Sequence, residues 1–359
     1  MSVRTPAAGF KGRGALSNPD NRYAHHAVES VDDGWHAEPE PEQIATELII
    51  DASRSVISRN DSPDIPFDQS INPYRGCEHG CVFCYARPTH AYLDLSPGID
   101  FETRLLYKPN AAELLRAELG RPGYRCKFIM LGSNTDPYQP VERRLGITRS
   151  ILEVLDETHH PVSITTRSAL ILRDVELLAA MARRGLASVQ ISITTFDNDL
   201  KRGMEPRSAA STARLQVIRE LSAAGVPVGV MAAPMIPAIN DSELETILER
   251  AAAAGAMRAA YTMLRLPLEV KDLFRQWLAQ HLPDRAAHVM SLIQQMRGGQ
   301  DNDSRFGARM RGQGAWAQLL ADRFHLACRR LGLNDRREPD LDGSGFRAPR
   351  VTPQLELGL

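Results

Sequence analysis

A chain of 359 residues that is 43% hydrophobic and 24% charged has the composition of a folded protein with a sizeable core, which excludes disorder throughout. Its formal net charge of −1 excludes a whole-molecule field that would draw it onto nucleic acid or an anionic membrane, so any basic site is local. Five cysteines, an odd number behind a Met1 to Leu16 segment with no apolar signal core, predict thiol chemistry in a reducing cytoplasm rather than a disulfide framework. The longest apolar stretch, 225–239, contains Pro227, Pro234 and Pro237 and is too short to span a bilayer as a helix, so no membrane contact is expected.

Residues 1–45 read as an extended or poorly ordered N-terminal arm, although Gly12-Arg13-Gly14-Ala15, Asn18-Pro19 and Arg22-Tyr23 are suited to docking on the body. Residues 46–283 alternate strand and helix patterns. A strand ends near Tyr74, and a helix is predicted over 110–119. Strands follow at 128–131, 162–166, 187–194, 226–231 and 259–264, with helices at 149–157, 173–184, 209–224 and 270–281 between and after them. Ser242-Glu243-Leu244-Glu245 has the form of a capping box opening a further helix. Parallel neighbours need crossover connections and helices supply them, so the fold class is α/β. Six units predict a partial (β/α)6 barrel rather than a closed eight-unit one, with active groups on the loops after the strands. Residues 284–333 form a C-terminal helical extension, with helices at 285–296 and 316–331, and 334–359 read as a frayed tail. Between those helices Arg305, Arg309 and Arg311 make the best local basic patch, read first as a solvated face and second as a phosphate contact.

Cys77, Cys81 and Cys84 carry the chemistry. Their spacing, C-x3-C-x2-C, with Gly76 and Gly80 loosening the backbone, lets three thiolates hold three irons of a [4Fe-4S] cluster and leaves the fourth iron open. An open iron suits inner-sphere chemistry: S-adenosyl-L-methionine (SAM) chelating it through amino and carboxylate groups, then accepting an electron that breaks its S–C5′ bond to give a 5′-deoxyadenosyl radical. Two alternatives stand beside this reading, a zinc site completed by His79 and a purely structural cluster. Neither finds an obvious extra cysteine ligand, because Cys126 opens the second strand at the opposite end and Cys328 sits among Leu320, Phe324 and Leu331 in a buried helix pattern.

These residues resemble the radical SAM superfamily, whose hallmark is C-x3-C-x-aromatic-C after the first strand of a partial barrel. Asn72 to Cys77, Gly132 to Pro140 and Ile164 to Ser168 are further similar to its spore photoproduct lyase-like branch, which includes members of unassigned substrate; the likeness covers roughly residues 65–330. The resemblance implies that Phe83 meets the adenine, and that Ser133, Asn134, Thr135 and Asp136 lie where the methionyl amino group needs an acceptor. It implies that Arg167, where the branch usually has Lys, meets the methionyl carboxylate. Ser192 and Thr194, alternate residues on one strand face, point toward the ribose, and Glu205-Pro206-Arg207 follow on the same rim. Each has a plainer reading beside it: an Asn- and Asp-capped turn, a surface Arg near a helix start, and the strand preference of Thr. His159 and His160 precede strand three, at the wrong end for a metal, and read as a loop.

The implied enzyme needs a low-potential electron donor such as flavodoxin or ferredoxin and acts on an unidentified substrate, nucleic acid being one candidate. Alternatives are a lesion-repair lyase of the photoproduct type and, from another class, a zinc- or cluster-stabilised nucleic-acid-binding module. The photoproduct enzyme returns hydrogen to its substrate from a cysteine on the loop after strand two, and residues 132–140 contain no thiol.

Overall fold

The computed structural model describes residues 10–23, 44–335 and 341–349. Its strands are β1 (Glu47–Ile50), β2 (Ile57–Arg59), β3 (Gln69–Ile71), β4 (Tyr74–Arg75), β5 (Arg104–Tyr107), β6 (Ile129–Leu131), β7 (Val162–Thr166), β8 (Ala187–Ile193), β9 (Val228–Met235) and β10 (Arg258–Met263). In the main sheet β3, β6, β7, β8, β9 and β10 lie side by side and parallel, with β2 antiparallel on the outer edge of β3. The edges β2 and β10 do not meet, so the expected six-unit partial barrel is what forms.

Register explains why one face is packed and the other open. The row Ile71, Leu131, Ile164, Val189, Val228 runs across five strands and is buried under helices such as Ile147–Glu157 and Ser211–Ala223. The neighbouring rows read Ser70, Met130, Ser163, Ser188 and then Thr165, Gln190, Gly229, Arg258 on the opposite, concave face. Parallel strands packed on both faces are apolar throughout. Alternation here marks a lumen lined by small and polar side chains, and a one-residue slip would turn the aliphatic row into it.

Several elements differ from expectation. The first barrel strand stops at Ile71, and Tyr74-Arg75 leaves it to pair antiparallel with β5 in a small sheet ordered β1, β5, β4. The capping box does not form. A 3-10 turn over Asp241–Glu243 precedes the helix Leu244–Ala253, and the Glu243 carboxylate is taken by the Thr195 hydroxyl and by Phe196 N at 2.7 Å. The box's own acid, Glu245, has both oxygens on Arg323 at 2.8 and 2.6 Å, so a tertiary ion pair has outcompeted the local cap. The helix expected from 173 starts at Val175, after a 3-10 turn (Ala169–Asp174) whose first residue pairs are capped by Ser168 Oγ accepting from Leu170 N at 3.2 Å.

The two ends of the chain are held where they are described. Ala15 is fully buried with Ile99 and Leu273, and 341–349 crosses the lower end of the barrel through Asp342 N to Gly185 O (3.0 Å) and Arg347 N to Thr158 O (2.8 Å). The tail expected to fray is therefore docked over this stretch; the expectations for 1–9, 24–43, 336–340 and 350–359 lie outside the described residues. His160 sits at that lower end, bonded through Nε2 to Tyr124 Oη (2.8 Å) and edge-on to Phe346. In the Arg-rich link, Arg305 pairs with Asp303 at 2.7 Å, and Arg309 pairs with Asp64 and Ser62, so two of the three guanidiniums already face partners. Among the described residues no helix is long and apolar enough to cross a membrane.

Candidate active site

The cysteine loop begins directly after β4, at the C-terminal mouth of the barrel. Cys77 N donates to Phe101 O (2.9 Å), Val82 N to Met204 O (2.9 Å), and turns close from Gly80 N to Cys77 O and from Cys84 N to Cys81 O. Gly76 (φ +84°) and Gly80 (φ +67°) are in the left-handed region; a Cβ on Gly80 would lie 2.5 Å from Glu102 Oε2. That carboxylate is the loop's anchor. Fully buried Arg87 donates to Cys81 O (2.9 Å), Pro97 O (3.1 Å), Gly98 O (2.9 Å) and Glu102 Oε1 (2.5 Å), and Glu102 also accepts from Gly14 N (3.0 Å) and Ala15 N (2.8 Å). One buried ion pair thus ties together the cysteine loop, the segment after it and the N-terminal arm. Sequence reasoning missed it; the only trace was a charged Arg87 three residues after Cys84.

All three cysteines are free, with Cys77 and Cys81 buried and Cys84 partly exposed. Burial, helped by Asp136 and the neighbouring thiols, pushes the Cys77 thiol well up, and burial pushes Cys81 up to about 12 against the pull of Arg167. Cluster or metal binding here therefore releases protons. The donor set fits an iron-sulfur cluster: three soft thiolates on one short loop, with Glu78 Oε2 and His79 Nδ1 in that same loop buried and without hydrogen-bond partners. Among the described residues no three His, Cys, Asp or Glu side chains gather as a site for one metal ion. His79 Nδ1 stands 3.3 Å from Asp136 Oδ2, at ion-pair distance but outside hydrogen-bond geometry. Cys126 lies at the lower end beside Gly343, and Cys328 in the helix Gly314–Leu331.

The loop after β6 turns at Gly132 (φ +87°), where a Cβ would lie 2.3 Å from Thr165 O. Asn72 holds its start, accepting from Asn134 N (2.9 Å) and Thr135 N (3.3 Å) and donating to Ser133 Oγ (3.2 Å), while Thr135 Oγ1 donates to Tyr74 O (2.8 Å). Asp136 is buried and accepts from Tyr138 N (2.9 Å), Thr166 Oγ1 (2.7 Å) and Arg167 N (2.8 Å). Burial raises its pKa, but His79 and these donors outweigh that and hold it at about 2. Its oxygens already accept from these three protein donors. Gln139 fastens the two loops together, donating to Gly76 O (3.2 Å) and accepting from Glu78 N (2.9 Å). Beneath them lies a second network that sequence reasoning did not find: Tyr74 and Arg173 on buried Glu142, and Tyr138 (3.0 Å), Arg149 and Arg173 on buried Asp174.

Arg167 reaches the cysteine loop. Its Nη1 is 2.6 Å from Glu205 Oε2 and 3.3 Å from Cys81 Sγ, and its guanidinium lies 5.6 Å from the centre of the Phe83 ring. Glu205 is buried and shared with fully buried Arg214 (2.6 Å); the two guanidiniums overcome burial and hold its carboxyl below the usual range. Thr194 Oγ1 donates to Ala233 O (3.1 Å) and lies 3.5 Å from Glu205 Oε2, while Ser192 is buried with its carbonyl accepting from Arg214 Nη1 (2.9 Å). Arg207 closes the rim, its N on His79 O (3.3 Å) and its Nη2 on Glu78 Oε1 (3.2 Å). The structure thus gathers Cys77, Cys81, Cys84, Phe83, Asp136, Arg167 and Thr194 around one mouth, with Ser133, Asn134 and Thr135 on its β6 side.

The family model for the Radical SAM superfamily matches residues 71–251, about half of the chain. The chain is 40% identical over 230 residues to uncharacterized proteins of Mycobacterium bovis and Mycobacterium tuberculosis, covering 64% of this chain and 68% of each relative. Spore photoproduct lyase complexed with dinucleoside spore photoproduct superposes with a TM-score of 0.59 at 14% identity, covering 80% of both chains. A variant of that lyase with bound AdoMet and dinucleoside spore photoproduct gives 0.57 at 14% over the same coverage. At such identity the likeness shows a shared fold. Together with the cysteine loop at the barrel mouth, the family match identifies this chain as a member of the radical SAM superfamily and an enzyme of that class.

Proposed function

We propose that Cys77, Cys81 and Cys84 hold a [4Fe-4S] cluster whose open iron takes SAM, and that the chain acts through a 5′-deoxyadenosyl radical on a substrate entering the polar lumen. When bound, the cluster supplies the electron that cleaves the S–C5′ bond. The protein's own part is positioning. Phe83 offers a ring edge to the adenine, carbonyls of the Ser133, Asn134, Thr135, Asp136 loop accept from the methionyl ammonium, and the guanidinium of Arg167 faces the carboxylate. Ser192 and Thr194 stand on the ribose side. The division into an arm (1–45), barrel (46–283), helical extension (284–333) and tail, and a donor of the flavodoxin or ferredoxin kind in a reducing cytoplasm, belong to the same reading.

The observation that supports it most is the set of three free thiols on one Glu102-anchored loop, within reach of Arg167 and Asp136. Anaerobic reconstitution tests it. About four irons and four sulfides per chain, a dithionite-reduced EPR signal altered by SAM, and 5′-deoxyadenosine formation are expected. Changing Cys77, Cys81 or Cys84 singly to Ala is expected to abolish all three, and colourless protein carrying stoichiometric zinc would overturn the proposal.

A further inference from the structure

Arg167 is pinned at both ends. Its backbone N donates to Asp136 Oδ2 at 2.8 Å, and its Nη1 is shared between Glu205 Oε2 (2.6 Å) and Cys81 Sγ (3.3 Å). Glu205 is in turn fixed from its other oxygen by Arg214, itself bonded to Ser192 O and Ser208 Oγ. Near the Cys81 sulfur there are thus the Arg167 and Arg214 guanidiniums, the Lys201 ammonium and the Glu205 carboxylate, and Arg167 touches that sulfur besides the role proposed for it toward the SAM carboxylate. A lysine at 167 would bring a point charge on a flexible stem. In Arg167 a single nitrogen, Nη1, serves the carboxylate and the sulfur at once.

We infer that Arg167 is a positioning residue for electron entry: by donating to the Cys81 sulfur it raises the reduction potential of the cluster, and Glu205 both aims it and offsets part of its charge. This rests on the cluster reading of the three thiols. The physical reason is simple. Reduction adds one electron, supplied by the external donor, and part of the added negative charge resides on the ligating sulfurs. A cation hydrogen-bonded to one of them stabilises the reduced form more than the oxidised form, and the surrounding protein weakens that attraction less than water would.

The experiment is an EPR-monitored redox titration of reconstituted protein without SAM, comparing the wild-type chain with Arg167→Gln, Arg167→Lys and Glu205→Gln, each first checked for iron and sulfide. Arg167→Gln is expected to lower the reduced-to-oxidised ratio at fixed poise about tenfold, which for a one-electron couple is about 59 mV more negative. Arg167→Lys recovers much of that shift because the charge is kept. Glu205→Gln moves the potential the other way, since a negative charge is lost. The Arg167→Gln shift persists in high salt, because a buried contact is little screened. An unchanged potential in fully loaded Arg167→Gln, or shifts of the same sign for Arg167→Gln and Glu205→Gln, would overturn the inference. Failure of the wild-type chain to bind iron and sulfide would instead refute the cluster reading beneath it.

Discussion

Glu102→Gln is the substitution that tests how the cysteine loop is held. Neither Glu102 nor Arg87 has any solvent exposure, and the carboxylate accepts from Arg87, Gly14 and Ala15 at 2.5 to 3.0 Å. Gln keeps the shape but turns one acceptor into a donor, so an N–H faces another donor and the Arg87 charge is left without a counterion. Breaking a buried pair by removing one charge costs about 3 to 5 kcal/mol. Against a typical total of about 5 to 15 kcal/mol, that is a large share. Urea unfolding of the cluster-free protein reads the loss directly. Two linked effects are expected: faster proteolysis within residues 10–23, which lose one of the two amide anchors at Gly14 and Ala15, and fewer irons retained per chain after reconstitution. Removing the partner as well, in Arg87→Met with Glu102→Gln, is expected to cost much less than the sum of the single changes. A loss below about 1 kcal/mol in Glu102→Gln, or simple additivity in the double variant, would refute the anchoring role.

Arg167→Ala is expected to weaken SAM binding roughly 10- to 150-fold, the worth of a charge-assisted hydrogen bond, as read by anaerobic titration. Cys126→Ala and Cys328→Ala are expected to keep full iron, since neither lies at the mouth. His160 predicts a pH dependence: burial outweighs its bond to Pro161 O and holds its pKa at about 4, below the ordinary 6.5, so the unfolded chain takes up the proton first as pH falls. Its contribution is full above about pH 6.5 and fades toward pH 4, by up to about 3 kcal/mol, and His160→Gln is expected to flatten that part of a stability-against-pH curve.

What the sequence disclosed was local. Six strand-and-helix units, the cysteine spacing and the lower-end position of His160 follow from patterns within a few residues of one another. The four-residue β5 was invisible because Arg104 to Tyr107 is too short to show a period and forms only by pairing with β1 and β4. The Glu102 anchor joins residues 15, 87 and 88 positions away, and nothing in a sequence marks such a meeting. Glu245 illustrates the reverse: the local capping pattern was overruled by Arg323, 78 residues distant. Asp136, singled out in the sequence, accepts bonds from the protein's own loops at Tyr138 N, Thr166 Oγ1 and Arg167 N.

The fold likeness to spore photoproduct lyase invites a transfer of activity, and the structure argues against it. In that reaction a substrate radical must regain a hydrogen atom, which the lyase branch supplies from a cysteine after strand two. Residues 132–140 offer none. Cys126 precedes β6, seven residues before Ser133, a span of up to roughly 20 Å of extended chain. It lies instead beside Pro161 and Gly343 at the lower end. Hydroxyls of Ser133 and Thr135 have O–H bonds too strong for an alkyl radical to break readily. Tyr138 is excluded by position, being fully buried with its hydroxyl on Asp174. Tyr85, exposed at the mouth with its hydroxyl on Ser133 O, is a phenol beside that loop, and donation from it would leave a tyrosyl radical. Reduced enzyme incubated with SAM and a dinucleoside spore photoproduct is therefore expected to cleave the cofactor without multiple-turnover restoration of the thymine pair. Efficient repair without a tyrosyl EPR signal would defeat this reasoning, because a hydrogen donor would then exist that the described residues of the barrel mouth do not offer.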